Sequence, residues 1–486
     1  MECNRIAEFF HGKSILVTGS TGYLAKIFVE KVLRIQPHVE RIYLLLRAPD
    51  NVAAARRLET EVLSMDLFKV LREVHGSSFS SFISSKVRPI PGNISQMNMG
   101  IDNSAVREEL YNELDVIVNS AATTKFDERY DVALSTNTFG AKHVVEFAKK
   151  CVKLGMLLHV STAFVAGEKD GVIPERSFGM GEALNGTSTV DIYGEQKLVE
   201  TKLKELHDKG ITEERRAIAM KELGLQRART FGWPNTYVFT KAMAEMLLGH
   251  LRDNMPLVIV RPTIVTSTYM EPFPGWIENT RTIDSILVSY ALGKLKCFIA
   301  DPTTILDVIP GDMAVNAMIL LSAAHFRKST ENIFHLCSSM RNPPTYFHFR
   351  EWCYQYFSKQ PLIGNDGQAI KVCKMALKTT MSSFHTYMNL HYKLPLQGFH
   401  IVNRATCHLF SYQYNKLNKK YNYAMRAAWL YKPYVFFKGR FDDSNSEWLR
   451  MTEDSERLLY YRIQDINWDT YFMTVHIPGV VKYLLK

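Results

Sequence analysis

Tyr237 and Lys241 stand four residues apart in Tyr237-Val238-Phe239-Thr240-Lys241, so a helix puts them on one face. A free tyrosine titrates near about 10, too high for ready proton exchange at neutral pH. A lysine ammonium one turn away would stabilise the phenolate and lower that value. Such a pair would protonate a carbonyl oxygen while a hydride reaches the carbon. Thr162, in Val160-Ser161-Thr162-Ala163-Phe164, is the natural third member, its hydroxyl helping to hold the same oxygen. Ser161 is the rival, and strand alternation lets only one of the two face the reacting group. In a chain with 23 tyrosines the spacing alone also fits a surface i,i+4 contact.

The hydride source is indicated 212 residues before Tyr237. Thr18-Gly19-Ser20-Thr21-Gly22-Tyr23-Leu24-Ala25 follows the apolar run Ser14-Ile15-Leu16-Val17. A strand, a tight glycine turn and a helix aim backbone N–H groups at a pyrophosphate. Gly19 and Gly22 allow the turn, and Ala25 is the small residue where helix packs on strand. Thr18, Gly19, Thr21, Gly22, Tyr23 and Leu24 are the expected contacts; an ordinary strand–helix turn is the alternative. Arg47 ends the second strand candidate, where an NAD enzyme would carry Asp or Glu against the ribose. An arginine there suits the 2′-phosphate of NADPH, or is merely solvated. Ala121, in the small-residue run after the fourth strand, would let the dinucleotide lie flat. Asn93 and Ile94 would border the adenine. Pro262 would either wall the nicotinamide or only end its strand.

These residues need a parallel sheet to bring them together. Strand candidates are Ser14–Thr18, Arg41–Leu46, Val87–Pro91, Asp115–Asn119, Leu157–Ser161 and Leu257–Val260. Several are continuous Val/Ile/Leu runs, as strands buried on both faces require. Helical stretches Leu24–Leu33, Asn51–Leu71, Val132–Leu154 and Tyr237–Arg252 lie between them. The alternation predicts an α/β, Rossmann-type, doubly wound parallel sheet. Between Glu168 and Trp233 a polar insertion interrupts it, with an amphipathic helix over Tyr193–Leu206. After Asn342-Pro343-Pro344 the chain turns helix-rich and aromatic. The expected domains are therefore 1–360, holding the cofactor, and a smaller helical 361–486.

At 486 residues, with 46% hydrophobic and 22% charged residues, the chain is globular and too long for one core. No apolar run is long enough to span a membrane. The first strand begins so early that neither a signal peptide nor a plastid transit peptide is expected. Seven single cysteines (Cys3, Cys151, Cys297, Cys337, Cys353, Cys373, Cys407) read as reduced thiols of an intracellular protein, with no metal site. The net charge of +10 belongs to one segment. Lys371–Arg440 holds twelve Lys or Arg, no Asp or Glu, and fourteen aromatic residues, so the rest of the chain carries −2. That segment could be a solvated face of a plain domain, a nucleic-acid surface, or an amphipathic layer for anionic lipid or an acyl-CoA. No RNA or DNA motif accompanies it, and no nucleic-acid partner is expected.

With these residues in view, the chain resembles the plant alcohol-forming fatty acyl-CoA reductases over nearly its full length. The matching stretches are Thr18–Lys26, Gly232-Trp233-Pro234-Asn235-Thr236-Tyr237-Val238-Phe239-Thr240-Lys241, Glu271-Pro272-Phe273-Pro274-Gly275-Trp276 and His476-Ile477-Pro478-Gly479. The resemblance implies an extended short-chain reductase with a C-terminal domain of the male-sterility type. It implies NADPH as donor, a long-chain or very-long-chain acyl-CoA as substrate, and a primary alcohol for wax, cutin, suberin or pollen-wall lipids. It implies a place at the endoplasmic reticulum, on the cytosolic face. An apolar tunnel between the domains would set chain length, the late aromatic helices and Glu271–Trp276 being candidates for its lining. Asn93, Gly311 and Leu295 depart from the family's usual residues. A reductase that stops at aldehyde or takes a sterol, and an NADPH-binding protein without catalysis, are the competing readings.

Overall fold

The computed structural model describes residues 8–451 and 458–485; Glu2, Cys3 and Arg5 lie outside the described residues. Seven strands form one parallel sheet: β1 (Ser14–Thr18), β2 (Arg41–Leu46), β3 (Val87–Pro91), β4 (Leu114–Asn119), β5 (Met156–Val160), β6 (Leu257–Pro262) and β7 (Glu331–Leu336). Their order across the sheet is β7-β6-β5-β4-β1-β2-β3. The chain winds outward from β1 to β3, then crosses back to place β4 on the other side of β1. That reversal opens a crevice at the carboxyl ends of β1 and β4. Each strand alternates between two cores. Ile15, Val17, Val116 and Val118 face one side, and Leu16, Ile117, Leu157 and Ile259 the other.

The helices used below are α1 (Tyr23–Ile35), α2 (Ile192–Asp208), α3 (Glu213–Thr230), α4 (Thr236–Leu251), α5 (Gly311–His325) and α6 (Ser411–Val435). α1 and α5 cover the first core; Gly140–Ala148 and part of α4 cover the second. The sequence expectation differs in three places. Strand β7 was not foreseen. The single helix expected over Asn51–Leu71 is broken after Leu58 into a wide turn, a short 3₁₀ turn and a second helix, because Met65 is extended. The helix expected over Val132–Leu154 runs from Tyr130 to Ala148 with a π-helical stretch at Leu134–Phe139. The insertion holds α2, as expected from Tyr193–Leu206, and also α3. The two are pinned by Glu195, which takes the Arg227 guanidinium and the Tyr130 hydroxyl.

Two of the stretches that carry the resemblance meet each other. Glu271 accepts from Lys31 and Arg34 of α1, and Glu278 from Lys26. Tyr23 stacks on Trp276 at 5.0 Å, and its hydroxyl donates to the Thr266 and Trp276 carbonyls. The loop is thus clamped to α1, on the cofactor side of the sheet. His476 Nε2 lies 3.1 Å from Asp284 Oδ1, and its Nδ1 is hydrogen-bonded to Ser267 Oγ at 3.1 Å. Gly479 lies against the Gly275 backbone, where a Cβ would collide. Gly311 likewise leaves room for the Tyr23 ring, 2.7 Å from where a Cβ would stand.

The late part of the chain is stitched to the earlier part by short parallel pairs. Gly439–Phe441 pairs with Gly171–Ile173, and Ala376–Lys378 with Cys297–Ile299. α6 reaches back over the crevice. Arg426 pairs with Asp127 at 2.7 Å, and Trp429 takes the Arg229 guanidinium on its ring face at 4.0 Å.

Candidate active site

Asn235 caps α4: its side chain accepts from Val238 N and donates to the Tyr434 hydroxyl at 2.6 Å. Trp233 anchors the preceding turn through its indole N–H on the Val165 carbonyl, 2.8 Å away. The most family-specific stretch of the chain is therefore the device that aims the first turn of α4. Tyr237 lies in that turn and Lys241 one turn on. Thr162 acts on the Tyr237 hydroxyl, holding its pKa down against burial. Thr162 also donates to the Pro262 carbonyl and caps the short helix Ala163–Ala166. Ser161 points elsewhere, donating to buried Glu245, which also holds Arg261 at 2.5 Å. Strand alternation thus brings Thr162, not Ser161, to Tyr237.

Lys241 is 1% exposed. Its ammonium donates to the Val160 carbonyl at 2.7 Å and meets His159 Nε2 at 3.1 Å. Burial pulls its pKa down to about 8, with Glu245 opposing. Tyr237 moves against the sequence expectation. Burial pushes its hydroxyl up to about 12, and the groups that resist are Arg281 and Thr162 rather than Lys241. The Lys241 ammonium is turned instead to His159 and the Val160 carbonyl. Tyr237 stays protonated across the neutral range, as a proton donor must.

The glycine turn has the form of a phosphate cradle. Gly19 has φ +67°, and a Cβ there would lie 2.7 Å from the Ala121 backbone. Thr18 Oγ1 accepts from Ala121 N at 3.2 Å, which locks the two turns together. Gly22 and Thr21 face the crevice at least in part, and the first turn of α1 carries no acidic side chain. A dinucleotide pyrophosphate fits this cradle. Tyr23 and Leu24 take a different part from the expected one. The Tyr23 side chain is buried against Trp276 and Arg281, and Leu24 packs into the core, so only their main chain can serve a phosphate. Arg47 extends into solvent at the end of β2, its carbonyl held by Arg57. Asn93 closes a turn on Ser95 N. Ile94 is a core residue, packed over Gly140, and again offers only backbone.

Three neighbours of the centre carried no motif in the sequence. His159 touches Lys241. Arg281 lies over the Tyr23 ring at 4.8 Å and acts on Tyr237. Phe126 stacks against Tyr237 at 6.4 Å and Tyr434 at 4.8 Å, and meets Tyr431 at 5.8 Å. Tyr431 also lines an apolar cavity of about 850 Å³. The cavity walls include Ile286, Leu295, Phe298, Phe384, Met388 and Ala428, with Lys294, Lys296, Lys419 and Lys420 among the polar lining. The late aromatic helices do line it. Glu271–Trp276 does not, because the clamp to α1 holds that loop elsewhere. A pH dependence follows from this geometry. The Lys241 ammonium exists below its pKa, so kcat/KM should fall as pH rises through about 8, and the limb should be absent in Lys241→Arg. A flat profile across that range in the parent enzyme would separate Lys241 from the chemistry.

The profile of the NAD-binding family described as "Male sterility protein" matches residues 17–318, and a second profile of that description, Sterile, matches residues 391–486. The chain is 50% identical over 493 residues to the probable fatty acyl-CoA reductase 4 of Arabidopsis thaliana, with 100% of each chain covered. It is 47% identical over 491 residues to the alcohol-forming fatty acyl-CoA reductase of Simmondsia chinensis, again with 100% of each. The fold is also similar to the terminal R domain of the myxalamid PKS-NRPS biosynthetic pathway, with TM-score 0.58 and 15% identity over 97% of this chain and 90% of that one. A full-length match of this extent, on a parallel sheet that carries a dinucleotide cradle, means that the chain belongs to the fatty acyl-CoA reductase family, nicotinamide-dependent oxidoreductases of the male-sterility type.

Proposed function

We propose that this protein reduces long-chain or very-long-chain fatty acyl-CoA to the primary alcohol, with NADPH as donor. The carrying observation is the Tyr237 side chain, influenced by Thr162 and linked to an apolar cavity through the Phe126 and Tyr431 rings. When bound, the dihydronicotinamide supplies hydride to the thioester carbon and, in a second round, to the aldehyde carbon. Tyr237 gives its proton to the carbonyl oxygen, and the Thr162 hydroxyl, turning from the Pro262 carbonyl, donates to the same oxygen. Lys241 offers its remaining N–H to the crevice. The hemithioacetal collapses, the thiol of CoA leaves, and the aldehyde stays for the second reduction. α6 across the crevice keeps water from the aldehyde.

Arg47 supports NADPH over NADH, since a solvent-facing guanidinium at the end of β2 is free to take a 2′-phosphate. The cavity suits an acyl chain, and Leu295, which departs from the family's usual residue, is part of its wall. We divide the chain near residue 360, the earlier part carrying the redox centre and one wall of the acyl cavity, the later part the opposite wall. The same later part supports a peripheral membrane site at the cytosolic face of the endoplasmic reticulum. Leu394, Ile401, Val402 and Leu409 are exposed beside Lys393, Arg404 and Lys416. Among the described residues no helix is long and apolar enough to cross a membrane. The alcohol would enter wax, cutin, suberin or related lipids.

Purified protein with NADPH and a series of acyl-CoA chain lengths should form fatty alcohol, two NADPH oxidised per alcohol. Aldehyde as the sole product defeats the two-step reading. Tyr237→Phe should lower kcat by about 10²–10⁴-fold while NADPH binding stays near the parent value. For the donor, Arg47→Asp should cut kcat/KM for NADPH by roughly tenfold or more and spare NADH. A parent enzyme that uses both donors equally would refute that assignment. Phosphatidylserine-containing vesicles should bind the protein. The triple variant Lys416→Glu, Lys419→Glu and Lys420→Glu should weaken partitioning by about 100-fold, at roughly 1 kcal/mol per basic residue. No flotation of the parent protein at low salt would end the membrane reading.

A further inference from the structure

A row of polar side chains runs through the centre of the sheet. Thr18, Asn119 and His159 are direct partners on β1, β4 and β5 in the parallel register. Each is the last or next-to-last residue of its strand, and each is 1% exposed or less. Thr18 Oγ1 meets Asn119 Oδ1 at 2.7 Å, and Asn119 Nδ2 meets His159 Nδ1 at 3.0 Å. His159 Nε2 meets Lys241 Nζ at 3.1 Å. The line is continuous from the glycine turn to the buried lysine. Burial and the adjacent ammonium keep the imidazole neutral, so one ring nitrogen donates and the other accepts.

We propose that His159 is the positioning residue for Lys241, and that the hydrogen-bond polarity of the Thr18–Asn119–His159 row is set by the charge on that lysine. This rests on the reading of Lys241 as part of the redox centre. An ammonium can only donate, so Nε2 must accept from it. Nδ1 then carries the hydrogen and needs the Asn119 carbonyl. The Asn119 amide in turn donates to Thr18 Oγ1. With a neutral lysine every bond reverses, and the carboxamide stands in this orientation here: Thr18 donates to Asn119 Oδ1, the amide donates to Nδ1, and Nε2–H donates to Nζ. A rotation of the carboxamide connects the two, with no bond lost in either. Leucine at 159 would leave Val160 O as the ammonium's one remaining protein acceptor among those described. The charged groups around Lys241 are few. Glu245 lies on its own helix, with Arg261 of β6 paired to it, and Tyr237 one turn earlier on α4.

The test is the titration of Lys241 itself. ε-¹³C-lysine NMR of the full-length protein reads it without turnover, the signal being assigned by its loss in Lys241→Arg. The parent should titrate near about 8. His159→Leu should move the midpoint down by about one unit, because the bond lost is charge-assisted and stronger with the ammonium than with the neutral amine, and should lower kcat more than it changes KM for NADPH. His159→Gln, whose amide oxygen can stand in for Nε2, should bring the midpoint back toward the parent. Should His159→Leu fail to fold, Asn119→Ala decides: its midpoint should fall in the same direction by a smaller amount. An unmoved midpoint in His159→Leu, or in Asn119→Ala where that variant decides, overturns the proposal. Absence of acyl-CoA reduction in the parent would instead remove the functional reading and leave this titration standing.

Discussion

A lysine ammonium buried to 1% exposure has to be hydrogen-bonded, or folding loses several kcal/mol. Most of the architecture around the centre can be read as the answer to that constraint. The carboxyl end of β5 presents the Val160 carbonyl, and the residue before it presents an imidazole. That imidazole is held from behind by β4, and β4 by β1. Three strands that are distant in sequence are thus committed to one register by polar atoms as well as by apolar packing. In a sheet covered on both faces a polar row is costly unless complete. This one is complete, and it ends at the glycine turn after β1.

The second organising contact is α6 over the crevice. Its aromatic side chains reach Phe126, and through it Tyr237, while Tyr434 receives the Asn235 cap donor. The residue that starts α4 is therefore tied to the residue that ends α6. Aromatic pairs of this kind contribute about 0.5–1.5 kcal/mol each beyond their area. The larger consequence is geometric: Tyr237 is positioned with the help of the late part of the chain. This explains why the stretch Gly232–Lys241 is more specific than a bare Tyr/Lys spacing.

Much of this was legible in the residues. β1, β2 and β3 begin and end as read, because each is a short apolar run bounded by charge or glycine. The parallel order followed from strand–helix alternation, and Thr162 over Ser161 was decidable once strand alternation met Tyr237. β7 escaped because Glu331 and Asn332 open it, and at the sheet's edge only its last four residues are buried. The breaks after Leu58 and around Leu134–Phe139 escaped because helical periodicity barely registers one inserted residue. Tyr237 moved up rather than down because helical spacing brings Lys241 near but does not say where its ammonium points. His159 had no signal at all: a histidine in an apolar strand is ordinarily a satisfied core residue, and only the register of three strands turns it toward Lys241.

The placement of Glu271–Trp276 carries a further lesson about family-specific stretches. A proline-rich loop so specific to the family invites the inference that it touches substrate. Here Glu271 neutralises Lys31 and Arg34, Trp276 takes the Tyr23 ring, and Gly275 admits the backbone of Gly479. Each side chain serves another part of the same protein. The buried cations of α1 could not exist without that loop, since a buried charge left unpaired costs several kcal/mol. Without α1 so held, the glycine turn at its start would lose its aim. Specificity of sequence in this loop thus reflects the cost of fixing the cofactor helix. The cavity walls lie apart from it, and Leu295 among them makes no part of the clamp.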